Sequence, residues 1–261
     1  MLNLSFALVG FGNVGKSLVR LLEQKRQTLL DEHGIQFKIT GIATGRHGIA
    51  IDPDGLDAEQ VLQAEDLSSL SKTPPPSSIL EFVKTVPADV LFENSPTNHQ
   101  TGQPAIDYLK AALQRGMFAI TANKGPVVHG YRELTALAKQ NSSAFLFESA
   151  VMDGAPIFSL FKHNLPVTEL HGFMGILNSC TNMILGRMEN GESMEDAIRY
   201  TQSIGIAETD PSGDVDGWDA SGKVAALATV LMGIPLKPQA VDRQGIRAIT
   251  PAEIERGRRE G

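Results

Sequence analysis

Between Ile206 and Val224 the chain reads IAETDPSGDVDGWDASGKV, which gathers Glu208, Asp210, Asp214, Asp216 and Asp219 ahead of a single lysine, Lys223. Carboxylates accept protons and hold cations, and an ammonium fixed among them can carry a proton to or from a substrate oxygen. Pro211, Gly213 and Gly217 punctuate the stretch, the chain's only tryptophan (Trp218) follows, and an apolar run, VAALATVLMG, comes next. A helix starting near Gly217 sets Asp219 and Lys223 at i,i+4 on one face. Plainer readings are a turn whose acids cap the helix and meet its dipole, or an acidic calcium-type loop. The acids lack the every-second-residue ladder of an EF-hand, which weighs against calcium.

A second set of chemistry-bearing residues opens the chain. The apolar run Leu4 to Val9 reads as a buried parallel strand, and Gly10-Phe11-Gly12-Asn13-Val14-Gly15 leads from it into the amphipathic helix KSLVRLLEQKRQTLL. Such glycines allow a tight turn, a close approach to a pyrophosphate and close helix–strand packing, with helix N–H groups facing the anion. A second strand, Phe37 to Ala43, ends at Thr44-Gly45-Arg46-His47. No acid stands there to take a ribose 2′-hydroxyl, and Arg46 can pair with a 2′-phosphate, so NADP is favoured over NAD; the alternative is a solvated loop arginine. Strand Asp89 to Phe92 is followed by Glu93-Asn94-Ser95-Pro96-Thr97-Asn98, and strand MFAIT by Asn123-Lys124-Gly125-Pro126. Polar groups at carboxyl ends of strands are where open α/β sheets collect ligands, although SPTN alone is turn chemistry and a lysine is by default a surface residue.

The elements that must position these residues follow a βα rhythm up to AFLFES, which ends at Glu148. Residues 47–80 read as a connection with a short helix at AEQVLQAED and a proline-rich loop at KTPPPSS. The rhythm stops near Ala150. The expectation is α/β: a Rossmann-type doubly wound parallel sheet over 1–150, then an α+β catalytic and dimerisation domain over 151–261. In the second part ELHGFMGI is strand-like, and TNMILGRMENG and SMEDAIRYTQSIG are helical. At 261 residues, 42% hydrophobic and 20% charged, the chain is an ordinary globular one with ample core. A net charge of -7 argues against nucleic-acid and membrane-surface partners. The single cysteine, Cys180, excludes an internal disulfide and fits a reducing compartment. With no membrane-length apolar run and no basic leader, the expected location is the cytoplasm.

GFGNVG, SPTN, TANKGP, ESAVMDGAP, GILNSCTNMIL and DPSGDVDGWDASGK together span nearly the whole chain, and they resemble the homoserine dehydrogenases, in the short form without a regulatory domain. The last piece matches a family signature of the type D-P-x-x-D-aliphatic-x-G-x-D-x-x-x-K at each fixed position. The resemblance implies NAD(P)-dependent interconversion of L-homoserine and L-aspartate 4-semialdehyde, on the route to threonine, methionine and isoleucine, by a homodimer. It implies Lys223 as acid/base at the substrate oxygen, Asp219 as its partner and Lys124 near cofactor and substrate. Glu208 would grip the substrate ammonium, and Asp214 and Cys180 would lie at the substrate. Gly10 to Gly15, Arg46, Asn94, Ser95 and Lys124 would hold the cofactor. A monovalent cation such as sodium would sit at Glu148 and the carbonyls of Val151, Asp153 and Ala155.

Two departures qualify the match. Cys180 stands where members have threonine, and a thiol donates a weaker hydrogen bond. Cys180 as a thioester-forming nucleophile would need a base beside it, and no histidine is evidently placed for that. Relatives also continue beyond GRREG through further strands of the catalytic sheet and a glycine-rich segment over the cofactor. The expectation is therefore a sheet with an exposed edge and a less enclosed nicotinamide, with a catalytically impaired homologue that binds NADP as the alternative.

Overall fold

The apolar run at the start enters the core at once: Ala7, Leu8 and Val9 have no exposed surface. The structure, a computed structural model, describes residues 1–207 and 209–260. The chain divides into two compact units, Met1–Leu160 and Phe161–Gly261.

In the first unit β1 (Leu2–Val9) leads through α1 (Asn13–His33) to β2 (Ile35–Ala43), which pairs with β1 in parallel. β3 (Ile49–Ile51) turns back antiparallel on β2, and α2 (Ala58–Gln63) and α3 (Ile79–Thr85) return the chain to β4 (Val90–Glu93), on the other side of β1. Helix α4 (Ala105–Gln114), β5 (Phe118–Thr121), α5 (Lys124–Gln140) and β6 (Phe145–Leu146) complete the sheet in the order β3-β2-β1-β4-β5-β6. Connections leave β1 and β4 towards opposite sides, so the crevice for a ligand opens at the carboxyl ends of these two neighbours. Phe6, Phe37, Ile39, Val19 and Val61 pack one face of the sheet.

Three elements depart from the expectation. β3 lies in the stretch read as a connection, and α3 begins at its very end. A three-residue strand offers no period to detect. Helix α3 did carry a signal, because Ser78 and Glu81 have capping-box spacing and Glu81 N–H donates to Ser78 Oγ at 3.1 Å. Helix α5 begins at Lys124 because Asn123 Oδ1 accepts from Gly125 N–H at 2.9 Å and Pro126 fits a first turn. The anticipated strand ELHGFMGI is not a strand among the described residues. A strand needs a partner for its N–H and C=O groups, and none pairs with it here; Val167, Met174 and Ile176 are 97%, 100% and 75% exposed.

The described residues of the second unit hold helices: α7 (Ser179–Glu189), α8 (Met194–Ser203), the short α9 (Ser212–Val215), α10 (Trp218–Leu231) and α11 (Pro251–Glu260), the single turn α6 (Ile157–Ser159) having closed the first unit. Their shared core is Cys180, Ile184, Met188, Ala197 and Val215, backed by Ile246, Ile249 and Ile254. Residues 243–247 strap the entry to α10: Ile246 N–H donates to Val215 O at 2.8 Å, Arg247 grips Asp216 through two bonds of 2.8 and 3.0 Å, and the Arg243 guanidinium lies 3.4 Å from the Trp218 ring centroid.

Candidate active site

The acidic stretch divides its carboxylates between loop scaffolding and the surroundings of Lys223. Asp210 accepts from Ser212 N–H at 3.0 Å, and Asp216 is taken by Arg247. Asp214 and Asp219 turn to Asn178, whose Nδ2 donates to Asp214 Oδ1 at 2.7 Å and Asp219 Oδ2 at 2.9 Å. Asn178 is held for this task by its own cap of α7, its Oδ1 accepting from Thr181 N–H at 2.7 Å. Lys223 lies one turn after Asp219 on α10, as the i,i+4 spacing anticipated. Its Nζ is 3.0 Å from Asp219 Oδ2 and donates to Leu177 O at 2.6 Å, with both side chains 17% exposed. An ammonium has three N–H donors, and two are used by these partners. The network holds an ammonium in one direction and shields it from bulk water, which strengthens each contact. Glu208 lies outside the described residues.

Cys180 sits one turn into the same core, 3% exposed. Burial pushes its thiol up to about 11, with the Asp214 charge and the S–H bond to Asp214 adding to the rise. A thiol buried this deeply is poorly placed to attack a substrate carbonyl, which argues against the thioester reading. Cys180 therefore bears on the site through Asp214. Iodoacetamide at pH 8 is expected to leave the folded protein unmodified and to alkylate Cys180 once denaturant is added; rapid native labelling, seen by mass spectrometry, would contradict this placement.

In the first unit the glycine turn is built as the motif requires. Gly10 has φ +88°, and a Cβ there would meet Asn94 O at 2.4 Å, so the β1–α1 turn rests directly on the backbone after β4. A Cβ on Gly12 would meet nothing within 4 Å, and the first turn of α1 carries neither a side-chain cap nor an acid. An open face with bare helix amides suits a pyrophosphate. Asn13 and Val14 flank it exposed, while Phe11 and Gly15 are buried. The Asn94 side-chain Nδ2 is buried without a protein partner, leaving a donor for a ligand or a water to take. Together these observations fit a dinucleotide.

Arg46 is exposed in the turn after β2, where Thr44 N–H donates to Gly48 O at 3.0 Å. A cavity of about 430 Å³ opens nearby, lined by Phe11, Lys16, Thr44, His47 and Glu65 among others. Lys124 is the first residue of α5, at the carboxyl end of β5 and partly buried. Glu148 caps a turn: its carboxylate accepts from Phe158 N–H at 2.8 Å, Ser159 N–H at 3.1 Å and Ser159 Oγ at 2.6 Å. Glu148 and Ala155 line one cavity, Val151 is buried and Asp153 exposed. Among the described residues no cluster of His, Cys, Asp and Glu side chains could hold a metal.

Most of the chain matches two models of one family: residues 10–148 fit the homoserine dehydrogenase NAD-binding domain, and residues 156–261 fit homoserine dehydrogenase itself. The chain belongs to the homoserine dehydrogenase family. It is 35% identical to the NAD(+)-dependent homoserine dehydrogenase of Pseudomonas canavaninivorans, over 100% of this chain and 75% of that one. It is 36% identical to the homoserine dehydrogenase of Methanocaldococcus jannaschii, over 95% and 74%. A hyperthermophilic archaeal homoserine dehydrogenase mutant, solved in complex with NADPH, superposes with a TM-score of 0.78 at 30% identity, covering 96% of this chain and 76% of that one.

Sequence reasoning gave no role to Asn178, although it cross-links the acids around Lys223. Its spacing to Thr181 advertises a cap, and nothing local shows that the amide also reaches residues far along the chain. Glu93 was named in the polar run after its strand but given no role of its own. It is fully buried, accepts from Ser95 N–H at 2.9 Å, from Ser95 Oγ and from Thr121 Oγ1 at 2.7 Å. Burial pushes its carboxyl above the usual range, against the pull of these bonds. An acid ending an apolar strand was its only sequence mark.

Proposed function

We infer that the protein is an NADP-preferring homoserine dehydrogenase that interconverts L-homoserine and L-aspartate 4-semialdehyde. The observation that carries the reading is Lys223, oriented by Asp219 and the Leu177 carbonyl and backed by Asn178 and Asp214. A bound nicotinamide supplies the hydride acceptor for alcohol oxidation and the donor for the reverse direction. Gly10 to Gly15 and the first-turn amides of α1 hold the pyrophosphate, and Asn94 and Ser95 meet the far half of the dinucleotide. Lys223 takes the proton from the substrate hydroxyl on oxidation and returns it to the aldehyde oxygen on reduction. Asp219 aims the Lys223 amine, which must be neutral to take the proton and becomes the ammonium that Asp219 then pairs with, while Lys124 adds positive charge for the developing alkoxide. Asp214, with Cys180 behind it, borders the substrate, and Glu208 takes its ammonium group.

Arg46 after β2, with no acid at that strand end, supports NADP over NAD. A monovalent cation at Glu148 would share the carboxylate with the N–H groups of residues 158 and 159. The exposed apolar residues Val167, Met174 and Ile176 favour a homodimer. Among the described residues no helix is long and apolar enough to cross a membrane, and we place the enzyme in the cytoplasm. The test is direct. Purified protein with L-homoserine should reduce NADP faster than NAD at equal concentration, read from reduced-nicotinamide absorbance. Dinucleotide binding without turnover would leave the catalytically impaired homologue instead.

A further inference from the structure

Glu93, Ser95, Asn123 and Thr121 form a closed hydrogen-bond circuit across the carboxyl ends of β4 and β5. Ser95 N–H and Oγ donate to Glu93 Oε1, Thr121 Oγ1 donates to Glu93 Oε2 at 2.7 Å, Asn123 N–H donates to Thr121 Oγ1 at 3.0 Å, and Asn123 Nδ2 donates back to Ser95 O at 3.2 Å. Glu93, Thr121 and Asn123 are buried. A buried carboxylate is costly unless its donors are fixed, so the circuit sets the two β–α turns relative to each other.

Each turn carries one residue of the proposed cofactor site. Asn94 lies between Glu93 and Ser95, its backbone N–H bound to Val9 O at 2.7 Å and its buried Nδ2 lacking any protein partner. Lys124 follows Asn123, whose Oδ1 starts α5. In a sheet of this order the first half, with the glycine turn and the end of β2, takes the adenosine side, and the β4–β6 half takes the other nucleotide.

We propose that Glu93 is a positioning residue for the nicotinamide half of the dinucleotide: by closing the circuit through Ser95 and Thr121 it fixes the turns that present Asn94 and Lys124. The proposal rests on the dinucleotide reading above. It separates the two halves of one ligand, which a general loss of stability cannot do. NADPH and adenosine 2′,5′-bisphosphate are titrated calorimetrically against wild type, Glu93→Leu, Glu93→Gln and Thr121→Val. Glu93→Leu should weaken NADPH at least about tenfold, as expected when a fixed N–H loses its acceptor. Glu93→Gln, which keeps an acceptor for Ser95, should fall between Leu and wild type. Thr121→Val, nearly the same shape, should follow Glu93→Leu and decides the matter if that variant does not fold. Binding of adenosine 2′,5′-bisphosphate should stay within about twofold throughout. The proposal is overturned if the variants bind NADPH like wild type, or if both ligands weaken equally. Wild type that binds neither ligand overturns the dinucleotide reading itself.

Discussion

Lys223→Met is expected to lower kcat for homoserine oxidation by about 10³-fold, the scale of a lost general acid/base. Methionine keeps the length and apolar stem of lysine, so α10 should hold its place while the proton carrier vanishes. NADPH binding, measured separately, should be unchanged, because Lys223 is tied to the neighbours Asp219 and Leu177 of its own unit. Arginine should not rescue: its guanidinium keeps its proton at any working pH and is too broad for the pocket between a carbonyl and a carboxylate. A Lys223→Met enzyme within tenfold of wild type would end the assigned role.

The second large effect is expected at Gly10. Alanine there faces two penalties of about 1–3 kcal/mol each, one for a non-glycine residue in the left-handed region and one for overpacking. The clash is with the backbone of Asn94 and Ser95, at 2.4 to 2.8 Å, which cannot swing aside like a flexible side chain. Gly10→Ala should therefore melt well below wild type and bind no dinucleotide. Gly12→Ala provides the contrast. A methyl there meets no protein atom, so the melting temperature should hold while NADPH affinity drops, the open space being the ligand's. If Gly12→Ala binds NADPH normally, the pyrophosphate lies elsewhere.

What could be read from the sequence was what is local. The glycine turn, its strand and its helix lie within one stretch, and the Asp219–Lys223 pair follows from helical spacing once the start near Gly217 is set. The strand ends that carry Asn94 and Lys124 announce themselves because short apolar runs stop at polar residues. The links between distant stretches could not be read. Asn178 joins Asp214 and Asp219 across a long separation, and Glu93 joins Thr121 across another; no period encodes a side chain reaching over a fold. The failed strand at ELHGFMGI shows the same boundary from the other side. Alternating apolar residues fit a strand, but a strand exists only where another offers its backbone.

The strap over the start of α10 has a practical consequence. The chain's single indole belongs to Trp218, directly before Asp219, with the Arg243 guanidinium seated on its ring. Emission excited selectively at tryptophan, apart from the three tyrosines, therefore comes from one known address, and no label is needed to watch it. Denaturation followed by that emission tracks the helical unit alone, and comparing it with the overall circular dichroism would show whether the two units come apart together or in turn.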